Sequence, residues 1–191
     1  MRLIIRKLLS TKAKSKYLAT FNVGLLKKPI DDVSNIEFRN ALDPINAIAS
    51  SSPGFIWYHD NDCFNNQNEN ESKDNITTAN NINTNITLTG VPELDENPLL
   101  MPQLSLWKDY ESLKHFVFKS GHFQYLRRRK EWFVVDKTEN SQAIVVLWHY
   151  ISTKEQPYPT LINAFDRLRH LRDKGDSEYA FGLKYAPKYT Q

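Results

Sequence analysis

The stretch Phe116–Phe133, FVFKSGHFQYLRRRKEWF, sets one histidine and four consecutive cations among aromatic residues. His122 can accept or donate a proton near neutral pH, because imidazole ordinarily titrates there, and that suits general acid–base work. Its competing structural role is to cap a helix that resumes after Gly121. Arg127 or Arg128 can clamp a carboxylate or phosphate through charge-assisted hydrogen bonds. The same run also reads as a solvated helix end, with Glu131 paired to Arg127 at i, i+4 and Trp132 under Arg128 at the same spacing. His115 lies two helical turns before His122, so the two imidazoles share a face if Gly121 leaves the axis intact. No carboxylate completes an HExxH-type pattern, and no metal site is expected.

Trp57, Trp107 and Trp148 fall on segments of strand character, and His59 follows the first of them. Alternation places Phe55, Trp57 and His59 on one face, with Ile56 and Tyr58 on the other. Rings on a sheet face build a packed core or a subunit interface, or they line a pocket for a planar ligand. In the pocket version His122 is the catalytic candidate. The ligand-contacting candidates are Trp57, His59, Trp107, His115, Arg127, Arg128, Trp132 and Trp148.

These residues need a scaffold, and the apolar spacing describes one. Residues 17–25 (YLATFNVGL) read as a strand stopped at Pro29. Ser34 opens a helix to about Ser50, with a kink expected at Pro44. A turn at 51–54 precedes a strand at 55–59, and 101–107 (MPQLSLW) is a third. Asp109 caps the next helix, which Gly121 interrupts before it resumes to Arg129. The apolar run 143–151 (AIVVLWHYI) is a central strand. Thr160 starts a last helix with Leu161, Ala164, Phe165, Leu168 and Leu171 on its core face, ended by Gly175. A short edge strand is expected at 180–183.

This β-α-β-β-α-β order, followed by an extra helix, predicts an α+β domain of the ferredoxin-like type. Two helices on one face of an antiparallel sheet leave the other face bare. That face needs either a second subunit or the C-terminal helix.

Composition sets the outer bounds. At 191 residues and 40% hydrophobic content, one domain at 17–191 has enough surface to bury a core of its own. Ten of the thirty positions 61–90 are asparagine, so the segment 61–97 is expected to be a disordered insertion, too polar to offset its ordering entropy. Cys63 is the single cysteine, which excludes a disulfide framework within one chain. No apolar run reaches bilayer length, so no membrane partner is expected. Eight of the 25 Lys and Arg lie in the first thirty residues, leaving 17 cations against 22 acids in the body. A nucleic-acid footprint needs a basic face on the domain itself, so no nucleic-acid partner is expected. No GxGxxG, GxxxxGK[ST] or GxSxG is present, and no cofactor is expected.

Residues 1–16 are basic, apolar and free of acid, which resembles a mitochondrial presequence; a plain basic lead-in on a cytoplasmic protein is the alternative. A fluorescent reporter fused to residues 1–30 is expected to enter mitochondria, and a diffuse cytosolic signal contradicts import.

SPGFIW at 52–57, LSLW at 104–107 and the FVFKSGH…LRRRKEWF block together resemble an uncharacterised family, domain of unknown function thirty-two ninety-one. That resemblance covers about residues 17–183 apart from the Asn-rich insertion. It implies the dimeric α+β barrel superfamily, in which two ferredoxin-like subunits pack sheet to sheet and each keeps a pocket between sheet and helices. Members include cofactor-independent monooxygenases, haem-degrading enzymes and isomerases, and fold alone does not choose among them. The resemblance also implies that His122 lies in the pocket. The expectation is a homodimer binding a small organic molecule, aromatic or anionic, with monooxygenase-like or isomerase-like turnover as its enzymatic version. A non-catalytic dimerisation or interaction module is the other.

Overall fold

Alternating small and bulky apolar residues in YLATFNVGL favour an extended chain that buries one side, and β1 (Ser15–Leu25) forms there. The computed structural model describes residues 15–59, 90–135 and 144–186. After β1 come α1 (Ile36–Ser51), β2 (Phe55–Tyr58), α2 (Pro92–Glu96), β3 (Leu100–Trp107), α3 (Tyr110–Lys119), α4 (His122–Trp132), β4 (Val145–Ser152) and α5 (Leu161–Lys174). The four strands make one sheet in the order β2-β3-β1-β4, every neighbouring pair antiparallel. The domain is therefore α+β.

Local chemistry sets the element ends. Asp109 accepts from the Ser112 backbone N–H at 2.8 Å, a cap typically worth about 1 kcal/mol. Thr160 does the same for Asn163, and Gly175 ends α5 with a positive φ of 76°. Helix α1 runs through Pro44 as one element. Asn40 and Pro44 both lie on its exposed side, so the Asn40 carbonyl that Pro44 leaves without a donor faces water. Gly54, with φ 77°, turns α1 into β2 directly against α3, where a Cβ would lie 2.7 Å from that of Ser112.

Both faces of the sheet are covered within the chain. On one face Ala19, Phe21, Leu104, Leu106, Val146 and Trp148 are buried against Ala164, Phe165, Leu168 and Leu171 of α5. Phe21 and Phe165 meet with ring centroids 4.9 Å apart. On the other face Leu18, Trp107 and Leu147 pack under Ala49 of α1 and Leu113, Phe116 and Val117 of α3. A third cluster of Leu26, Phe38, Met101 and Trp132 ties α1 and α4 to the end of the two inner strands. Of the two covers the sequence allows for the bare face, the C-terminal helix is the one present.

Three expectations need correction. Residues 92–96, inside the segment bounded at 97, form α2, and Val91 is 2% exposed while Leu94 packs on the α5-side core. The VPEL sequence supplies apolar anchors and a proline helix start that the asparagine-rich stretch lacks. Residues 60–89 lie outside the described residues, as do 1–14. At 180–183 there is a bridge rather than a strand: Phe181 exchanges both backbone hydrogen bonds with Leu147, at 2.8 and 3.0 Å, and the pairing stops. The register of β2 shifts between Phe55 and Trp57, and a bulge of this kind changes which residues share a face. Phe55 packs on Trp107 under α3, while Trp57 packs with the α5-side core. Plain alternation had put them together.

Candidate functional site

Between the sheet and helices α1, α3 and α4 lies an open cavity of about 280 Å³. That is close to the lower end of ligand pockets, roughly 300 Å³. Its floor is polar: Thr20 and Asn22 of β1 stand directly opposite Ser105 and Gln103 of β3. Leu42, Ile45, Asn46 and Ala49 of α1 and Leu113, Phe116 and Val117 of α3 form the walls, with His122 and Leu126 of α4. Tyr58 and His59 enter from the edge strand. Asn22 and Gln103 are exposed although they sit on the two inner strands beneath the helices. Amides sealed there without partners would cost several kcal/mol, so an open, wetted cavity is what this floor requires.

His122 begins α4. Ser120 is extended, at φ −96° and ψ 179°, and separates α3 from α4; its hydroxyl accepts from the His122 backbone N–H at 3.1 Å. The start of α4 is thus bonded by Ser120, which leaves the imidazole free of a capping task. The ring lies against Phe116 at 4.5 Å, and Nδ1 is 3.5 Å from the Val117 carbonyl. A carbonyl only accepts, so a hydrogen bond here requires the proton on Nδ1, the tautomer in which Nε2 keeps its lone pair.

Burial holds the imidazole below its ordinary pKa of 6.5, against a smaller upward pull from Val117. At pH 7.5 the group is neutral whether the chain is folded or not. Below 6.5 the unfolded chain takes up a proton that the folded one resists, so stability falls with pH until the folded pKa is passed. An NMR titration is therefore expected to place the His122 midpoint below 6.5. His122→Gln should lose less unfolding free energy than the parent between neutral pH and about pH 5. A midpoint at or above the ordinary value contradicts this.

The other sequence candidates divide sharply. Trp107 and His59 line the cavity with His122. Trp107 is fully buried between Phe55 and Phe116, at 5.3 and 5.0 Å, and its indole N–H donates to Ser105 Oγ at 2.9 Å. Trp148 and Trp57 belong to the opposite, α5-covered core, Trp148 beneath the Arg167 guanidinium and Trp57 stacked on Tyr158. Trp132 is buried against Phe38 in the third cluster. His115 is exposed on α3, and the break at Ser120 keeps it from pairing with His122. Among the described residues no three His, Cys, Asp or Glu side chains gather closely enough to hold a metal ion.

Arg127 and Arg128 do not line the cavity. Arg127 is exposed. Glu131 pairs with Arg128 at i, i+3, through bonds of 2.7 to 3.2 Å, instead of with Arg127 at i, i+4. Arg128 also bonds Glu37 of α1 and lies 5.0 Å over the Trp132 ring. Two carboxylates hold this guanidinium charged, and the guanidinium in turn holds Glu131 below the usual carboxylate range. The arginine staples α4 to α1, its charge shared between two carboxylates away from the cavity.

Residues 17–191 match the family described as a domain of unknown function, DUF3291. The chain belongs to that family. The match takes in every strand of the sheet except the first two residues of β1, and all the elements that build the cavity. No curated protein and no solved structure matches the chain.

Asn22, Gln103, Thr20, Ser105, Asn46 and Asp43 escaped the reading of the sequence. Their signal was there: Thr20 and Asn22 alternate with Ala19, Phe21 and Val23, and Gln103 and Ser105 alternate with Leu104 and Leu106. A polar stripe of this kind normally marks a water-facing side. Only the placement of α1 and α3 over it reveals a lined cavity.

Proposed function

We propose that this protein binds a small organic molecule in the cavity between the sheet and α1, α3 and α4. The observation that carries the reading is the paired polar floor, Thr20 with Ser105 and Asn22 with Gln103, under helices that leave it open. Such a floor supplies convergent donors and acceptors inside a mostly apolar wall, the usual composition of a ligand site. The scaffold is of the ferredoxin-like type: the order β2-β3-β1-β4 with antiparallel neighbours supports it. A barrel of two such sheets needs the apolar face free, and α5 occupies that face. A homodimer would therefore join through another surface.

His122, neutral and with Nε2 able to accept, is the group suited to take a proton from a bound phenol or alcohol. Oxygen uptake with phenols that bind reads out the monooxygenase version.

The binding test is a screen of neutral bicyclic aromatic fragments by ligand-observed NMR, repeated on Asn22→Phe. Asn22 already faces open space on β1, so the added ring fills the cavity without crowding the core. Hits are expected on the parent and absent from the folded variant. Hits that survive the substitution unchanged place binding elsewhere and defeat the proposal.

A further inference from the structure

We propose that the cavity selects uncharged or cationic ligands, with Asp43 as the residue that meets their amine or hydroxyl group, and discriminates against carboxylates and phosphates. This rests on the small-molecule reading above and reverses the anionic ligand that the arginine run suggested.

Among the described lining residues Asp43 is the only one with a permanent charge. The floor offers neutral hydroxyls and amides, and the walls are mainly apolar. Three cations of the α4 region make their contacts outside the cavity. Arg128 bonds Glu37 and Glu131, Arg129 donates to the Leu126 carbonyl at 3.0 Å, and Lys27 donates to the Lys130 carbonyl at 2.5 Å. The His122 imidazole, kept neutral by burial, adds no positive charge at neutral pH.

An anion entering this cavity would shed water for surroundings whose one full charge repels it, and no lining cation repays the loss. An ammonium meets the reverse situation. It is drawn to Asp43 and can donate to side-chain oxygens of Asn46 or Gln103. An alcohol or amide needs no counter-charge and fits the same donors and acceptors.

Three probes sharing one ring test the assignment: tryptamine, tryptophol and indole-3-acetate, titrated calorimetrically into the full chain at pH 7.5 and into Asp43→Asn. Asp43 is an exposed residue of α1, so the amide replaces the acid without disturbing packing, and circular dichroism checks this. The amine and the alcohol are expected to bind, with indole-3-acetate weaker than tryptamine by about tenfold or more. Asp43→Asn should erase the advantage of the amine over the alcohol. Indole-3-acetate binding as tightly as tryptamine, or an amine advantage that survives Asp43→Asn, overturns the charge assignment while leaving a ligand cavity in place. Failure of all three probes to bind the parent removes the cavity reading itself, and this inference with it.

Discussion

Trp107→Ala is expected to lower the unfolding free energy by about 3–5 kcal/mol, the cost typical of truncating a buried aromatic residue. Trp107 has no exposed surface. Its indole fills the junction of β3, the edge strand and α3, with Phe55 edge-on at 5.3 Å and Phe116 nearly parallel at 5.0 Å. Removal deletes the transfer energy of the ring and both ring contacts, and leaves a hole that two differently oriented neighbours cannot close together. The lost hydrogen bond to Ser105 matters less, because that hydroxyl borders the cavity and can find water. Trp107→Phe, which keeps an aromatic ring and drops the N–H, should cost clearly less. Urea unfolding followed by far-UV circular dichroism measures both variants. A loss below about 1 kcal/mol for the alanine variant would show that the junction is far looser than described.

Leu168→Ala should cost about 2–5 kcal/mol by the same measurement. Leu168 is fully buried, on the stripe with Ala164, Phe165 and Leu171 that seals the face carrying Phe21, Leu104, Leu106 and Trp148. The size of the effect separates two architectures. Where a second subunit covers this face, α5 lies at the periphery and a methyl-for-isobutyl exchange there is felt weakly. Where α5 itself is the cover, Leu168 lies within the core on that face. A loss within about 0.5 kcal/mol, the usual range for surface changes, sinks the intramolecular cover. Light scattering of the parent at several concentrations adds an independent check on the oligomer. Sheet-to-sheet dimers are expected to be absent, since docking one would require peeling α5 away.

Much of the frame is local and was readable from the residues. Asp109 and Thr160 as helix starts, Gly175 as a helix end and the stripe of α5 depend on contacts within four residues, so the chain carries them wherever it folds. The positions of β1, β3, β4 and α5 followed from the same kind of signal. The bulge in β2 did not: it arises where Phe55 and Trp57 meet β3, and it divided two rings that alternation had joined. The partner of Glu131 was equally open, since Arg127 at i, i+4 and Arg128 at i, i+3 are both in reach on a helix. Glu37, 91 positions away on α1, also bonds Arg128, a contact that no local spacing shows.

By itself the sequence determined the α+β class, the caps at Asp109 and Thr160, and an imidazole candidate set next to an arginine run. Tertiary structure alone decided that α5 covers the apolar face, that Arg128 is spent on an interhelix bridge, and that the polar stripe of β1 and β3 floors a cavity. The division has one physical cause. Periodicity and capping are written within a few residues, whereas which face a helix covers depends on contacts between segments more than a hundred residues apart, such as Phe21 on Phe165.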